Sequence, residues 1–187
     1  QYSSGQLEKA QSTLGTFLND ILSHPQGYEL ALFIYAKSEN YSALYQTAQR
    51  SLDQGKKLEI AYEALAYSSI KLGKGLETLK YLEKLAEETY SERLMAAIAQ
   101  LAHEQKNVLL SRSYFLRLVE ESKMWATWLS RLLKFKALMQ DPVFVESLIL
   151  EVSKKKHISK NSEEKLLMYA KLFQLSTSTH ILEKRLK

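Results

Sequence analysis

Residues 59–91 read EIAYEALAYSSIKLGKGLETLKYLEKLAEETYS, and this stretch decides the fold. Tyr62, Leu65, Ala66 and Ser69 recur at steps of three and four, the spacing that lines one face of a helix. Gly73-Lys74-Gly75 interrupts the pattern, and Leu76, Leu79, Leu82 and Leu85 resume it. A break this short makes the two helices antiparallel neighbours.

The same grammar extends in both directions. Toward the N-terminus, Leu7, Ala10, Leu14, Phe17 and Leu18 form one stripe, and His24-Pro25 ends it, because the residue before proline is pushed out of the α region. Tyr28 to Tyr35 and Tyr41 to Leu52 follow, separated by Ser38-Glu39-Asn40 and closed by Asp53-Gln54-Gly55. Toward the C-terminus come Leu94 to Ala102, Leu109 to Val119, Trp125 to Leu138, Val143 to Val152 and Leu166 to Leu175. The expectation is an all-α chain of about ten or eleven helices in antiparallel pairs, with short connections throughout.

The stripes also recur along the chain. Ala10, Leu44, Thr78 and Ser111 stand 34, 34 and 33 residues apart, and the same offsets align Leu7, Tyr41, Gly75 and Val108, then Leu14, Ala48, Leu82 and Phe115. In the other helix of each pair, Tyr28, Tyr62, Met95 and Trp128 align at 34, 33 and 33. Leu32, Ala66, Ala99 and Leu132 form a parallel column, as do Tyr35, Ser69, Ala102 and Phe135. Stacked units repeat their packing positions, whereas a bundle has no reason to hold a period.

The period and the residues Tyr62, Leu65, Ala66, Gly73, Leu79, Leu82 and Leu85 resemble the tetratricopeptide family, and residues 5–25 look like a second half-repeat with Gly5, Ala10 and Pro25 in place. The pattern departs at Ser69, Leu44, Thr78 and Arg131. The resemblance implies a right-handed α-solenoid whose first helices line a concave groove. It places about four degenerate repeats in residues 1–158, starting in mid-repeat, and a C-terminal helix or capping segment in residues 159–187. Asn161 or Ser162 is expected to start that last, long helix, which runs to Leu186. In the family register the groove carries Glu29, Phe33, Ala36 and Lys37, then Glu63, Tyr67, Ile70 and Lys71, then Ala96, Gln100 and His103. Phe33, Lys37, Tyr67, Lys71, Gln100 and His103 are the candidate partner-binding residues. Members that grip a C-terminal carboxylate use Lys and Asn where this chain has Glu29, Phe33, Glu63 and Tyr67, which disfavours that mode.

Composition narrows the function classes. With no cysteine in 187 residues, disulfides, thiolate metal sites and a cysteine nucleophile are excluded. No apolar run approaches the roughly 20 residues of a membrane span, and no signal peptide is visible, so cytoplasm and periplasm are both compatible. The net charge of +5 comes from residues 151–187, with nine basic and four acidic side chains. Its densest part, Lys154, Lys155, Lys156, His157 and Lys160, reads as a solvated helix end rather than a phosphate-binding tract.

Catalytic groupings are scarce. His24, His103, His157 and His180 have no second ligand at a metal-site spacing, and Gly73-Lys74-Gly75 follows no strand, so it fails as a phosphate loop. Glu87-Glu88, Glu120-Glu121 and Glu163-Glu164 read as solvated helix ends. Tyr28, Tyr35, Tyr62, Phe115, Trp128 and Phe135 fall on the repeating columns, which assigns them to packing and disfavours nucleic acid. Phe33 and Tyr67 lie off those columns, 34 residues apart, and fit as anchors for a peptide or helix. The expected function is a non-enzymatic scaffold or adaptor that binds a protein or peptide partner without cofactor, metal or small-molecule substrate. The alternatives are a spacer in a larger, envelope-associated repeat assembly, with self-association through exposed repeat ends, and a secretion-type chaperone.

Overall fold

The computed structural model describes residues 4–16, 20, 22–56, 58–155 and 158–186, with the side chains of Ser4 and Leu7 left aside. The expected positions of Phe17 and Leu18, the side chain of Leu7, and Lys156 and His157 lie outside the described residues. Among the described residues there are eleven α-helices, one short 3-10 helix and no strand. None of these helices is long and apolar enough to cross a membrane.

The chain divides into two compact units, Gln1–Gln105 and Lys106–Lys187. The first contains α1 (Ser4–Thr16), α2 (Pro25–Lys37), α3 (Tyr41–Asp53), α4 (Glu59–Lys71), α5 (Gly75–Glu88) and α6 (Glu92–Glu104). Each packs against the next in sequence, and α2 also touches α4, as α4 touches α6. The columns explain why. Leu14, Leu44, Ala48, Thr78 and Leu82 are buried on one set of helices, and Tyr28, Leu32, Tyr62, Ala66, Met95 and Ala99 on the other. Helix α6 is apolar almost all round, and Leu94 through Ala99, Leu101 and Ala102 are all buried, so it lies at the centre of this unit.

The second unit contains α7 (Val108–Glu121), α8 (Trp125–Leu132), the 3-10 turn Leu138–Gln140, α9 (Pro142–Ser153), α10 (Lys160–Leu172) and α11 (Ser176–Arg185). Helix α9 packs on α7, α10 and α11, and α10 packs on α11. Helix α8 is shorter than the stripe to Leu138 predicts. The apolar residues Leu132, Leu133, Leu138 and Met139 do not share one helical face, yet all four are buried. Tight turns after Leu132 achieve this, with Phe135 N–H donating to the Leu132 carbonyl and Leu138 N–H to that of Phe135, both at 2.9 Å. Phe135 then packs its ring 5.4 Å from Phe115.

The C-terminal segment is two helices rather than one, and its start is earlier than expected. Ser159 caps α10 by accepting from Ser162 N–H, so neither Asn161 nor Ser162 is the cap. Gln174 adopts a left-handed φ of 55°, and Leu175 N–H reaches back to the Ala170 carbonyl at 2.9 Å, which terminates the helix. The same closure follows α2 at Glu39 (φ 54°), α4 at Gly73 (φ 70°) and α6 at Lys106 (φ 61°). Of these four sites only one carries glycine. Helix starts hold a regular interval throughout: Tyr41, Gly75, Val108, Pro142 and Ser176 are 34, 33, 34 and 34 residues apart. Pro25, Glu59, Glu92, Trp125 and Lys160 are 34, 33, 33 and 35 apart. Pro25 opens α2 rather than only ending what precedes it, with His24 extended at φ −112°.

Candidate functional site

The candidate residues all lie in the first unit, on α2, α4 and α6. Phe33 and Tyr67 occupy the same register, each the ninth residue of its helix. The columns one and two residues to either side turn inward, which leaves these rings outward at 44% and 42% exposure. Because α2 packs on α4, the two rings belong to neighbouring helices.

A lysine follows each ring by one turn. Lys37 Nζ lies 5.7 Å from the Phe33 ring centroid, and Lys71 Nζ lies 5.7 Å from that of Tyr67. Both lysines are exposed, so the ammonium keeps its water while the stem covers part of the ring. Lys71 also sits 5.8 Å from the ring of Tyr41, the first residue of α3. Tyr41 and Tyr67 meet edge to face, with centroids 5.7 Å apart and planes at 73°. A hydrogen bond between their hydroxyls, then desolvation and the charge of Glu39, push the Tyr41 phenol up to about 12. The sequence alone did not single out Tyr41, whose place in the column with Gly75 and Val108 suggested packing.

At the opposite end of these helices the charge changes sign. Glu29, Leu58, Glu59, Ile60 and Arg93 line an open cleft of about 450 Å³. Arg93 bridges to Glu59 at 3.3 Å across α6 and α4. The face of α2 and α4 thus runs from acidic at the helix starts to basic at Lys37 and Lys71. Of the remaining candidates, Gln100 is exposed and His103 half-buried on α6, the helix that packs against α4. Ala36 is exposed, Glu63 and Ile70 are half-buried, and Ala96 is buried, so Ala96 adds no open surface.

Other groups resolve into structural roles. Glu163 was expected to be a solvated helix end, but it is buried, and Arg185 Nε donates to it at 2.9 Å. The same guanidinium donates to the carbonyls of Ser153 and Lys155, each at 3.0 Å, and so caps the end of α9. In the basic tract, Lys154 pairs with Glu151, and Lys155 Nζ donates to the Glu120 carbonyl at 2.7 Å. Met168 and Leu172 are exposed on α10, at the register that Phe33 and Lys37 hold on α2. Among the described residues no group of three or more histidines or carboxylates is placed to hold a metal ion. No family model matches the chain, and no curated protein matches it at a significant level.

Proposed function

We propose that this chain is a protein-binding module that holds a partner peptide or helix against α2 and α4, with Phe33 and Tyr67 as anchors. The observation that carries the reading is the pair of outward aromatic rings at one register on adjacent helices, each flanked by a lysine. Large, stiff rings lose little entropy when covered, which is why such side chains dominate binding energies. Lys37 and Lys71 favour acidic groups beside the anchored residues, and Glu29 and Glu59 favour basic groups further along.

The architecture belongs to the same proposal: helix pairs stacked in the right-handed sense of tetratricopeptide-like solenoids. Regular helix starts, buried columns and a recurring left-handed closure support it. Candidate catalytic groupings do not converge on this face, so the role is non-enzymatic binding, as scaffold or adaptor.

The test compares affinity capture by the parent and by Phe33→Ala/Tyr67→Ala, after far-UV circular dichroism shows equal helicity. Each ring removed from a central contact costs roughly 2 kcal/mol or more, so the double variant loses at least tenfold in affinity. A partner held equally by both proteins excludes this face as the binding site.

A further inference from the structure

A second surface in the first unit is explained by comparing the unit with itself. Helices α2, α3 and α4 all touch one another, and so do α4, α5 and α6. In each trio, the groove between a second helix and the first helix after it (α3 with α4, α5 with α6) is filled by the first helix of the preceding pair. Helices α1 and α2 form the same kind of pair, and the groove between them is open. It is lined by Gln6, Lys9, Ala10, Thr13, Leu30 and Ile34, and its surface is almost wholly apolar.

Burial follows the same pattern position by position. Leu30 is 51% exposed, whereas Ala64 is half-buried and Ala97 is 2% exposed at the equivalent places 34 and 67 residues on. Ala10 is half-buried, whereas Leu44 and Thr78 are buried. Thr13 is exposed, whereas Thr47 is buried and Tyr81 half-buried. The contrast lies in what covers each position, since the helices beneath hold the same register. An exposed leucine above an apolar trough is costly unless covered, and it marks an interaction site.

We infer that the α1–α2 groove is a docking site for an amphipathic helix from another polypeptide, seated as α2 is on α3 and α4. The occupant carries an aromatic and aliphatic stripe at i, i+3, i+4 and i+7, as α2 does with Tyr28, Ala31, Leu32 and Tyr35. Where the filled copies present Ala64 and Ala97, this groove presents the larger Leu30, so the occupant places a small residue opposite it. This site is separate from the Phe33–Tyr67 face and does not depend on it.

The absence of cysteine allows a single reporter. Thr13→Cys, on the groove wall, carries an environment-sensitive dye, and the full chain is titrated with a stapled peptide of residues 59–71, whose Tyr62, Leu65 and Ala66 stripe already fills the equivalent groove. The expected result is a saturable blue shift, weakened roughly tenfold or more by Leu30→Glu. Leu109→Glu, in the second unit, leaves the titration unchanged, and a peptide with serine at 62 and 65 gives no response. No saturation, or equal binding by the Leu30→Glu variant, overturns the inference. A peptide-free dimer in sedimentation that Leu30→Glu dissociates also overturns it, because the face then belongs to a second copy.

Discussion

At the residue scale, the side chains that matter most for stability are those whose sequence context suggested little. Glu163 sits beside Glu164 in a helix start, where solvation is the default, yet Arg185 holds it buried from 22 residues away. Breaking that contact leaves a carboxylate with little water and α9 without its terminal donor. Arg185→Leu is therefore expected to cost about 2–3 kcal/mol in urea denaturation, well above a typical surface ion pair. A loss under about 0.5 kcal/mol would show the contact to be ornamental. Glu39, Lys106 and Gln174 hold left-handed backbone without glycine. Glu39→Gly and Gln174→Gly should each stabilise by about 0.5–1 kcal/mol, since relief of the Cβ clash outweighs the added chain entropy. These sites were invisible in the sequence for a plain reason. Glycine marks a left-handed turn only where it is used, and here it is used at Gly73 alone among the four.

At the scale of elements, the helices were largely legible and their ends were not. The stripes from Leu58 to Leu72 and Leu94 to Ala102 correspond to α4 and α6 within a residue or two, because apolar spacing reports a buried face directly. Caps decide the ends. Asn40 and Asn107 each accept from the backbone N–H three residues on, at 3.1 and 3.2 Å, and open α3 and α7. Asn40→Ala and Asn107→Ala are each expected to lower stability by about 1 kcal/mol, read from the shift in urea midpoint at constant slope. The break at Gln174 was missed because Leu172, Phe173 and Leu175 continue an apolar pattern through it. The shortening of α8 was missed because a periodic stripe does not reveal when neighbouring leucines must all be buried. Tyr41 shows the limit for the candidate site. Its column suggested core, while its position at the start of α3 turns the ring toward Tyr67. Phe33 and Tyr67 could be read because leaving the core columns is itself a sequence signal.

At the scale of the whole molecule, the division after Gln105 left no mark in composition, since only Lys106-Asn107 separates α6 from α7. The tyrosines bind stability to pH. Burial raises the phenol of Tyr35 and that of Tyr62, and it raises Tyr81 most, helped by the 2.7 Å hydrogen bond to Asp53. A raised phenol holds its proton more tightly folded than unfolded. The stabilisation is fully present below the ordinary value near 10 and is lost as pH rises through the folded values. Urea midpoints should thus fall as pH climbs past 10, and Tyr81→Phe should flatten the decline; a midpoint constant to pH 12 would contradict this. The central claim concerns binding, and one measurement reaches it most directly. Benzoylphenylalanine placed at Tyr67 is irradiated in an extract of the native source, beside a control placed at Leu109. The binding reading predicts a discrete adduct at position 67, suppressed by Phe33→Ala and absent at 109. Equal labelling at both positions, or none at 67, would contradict it.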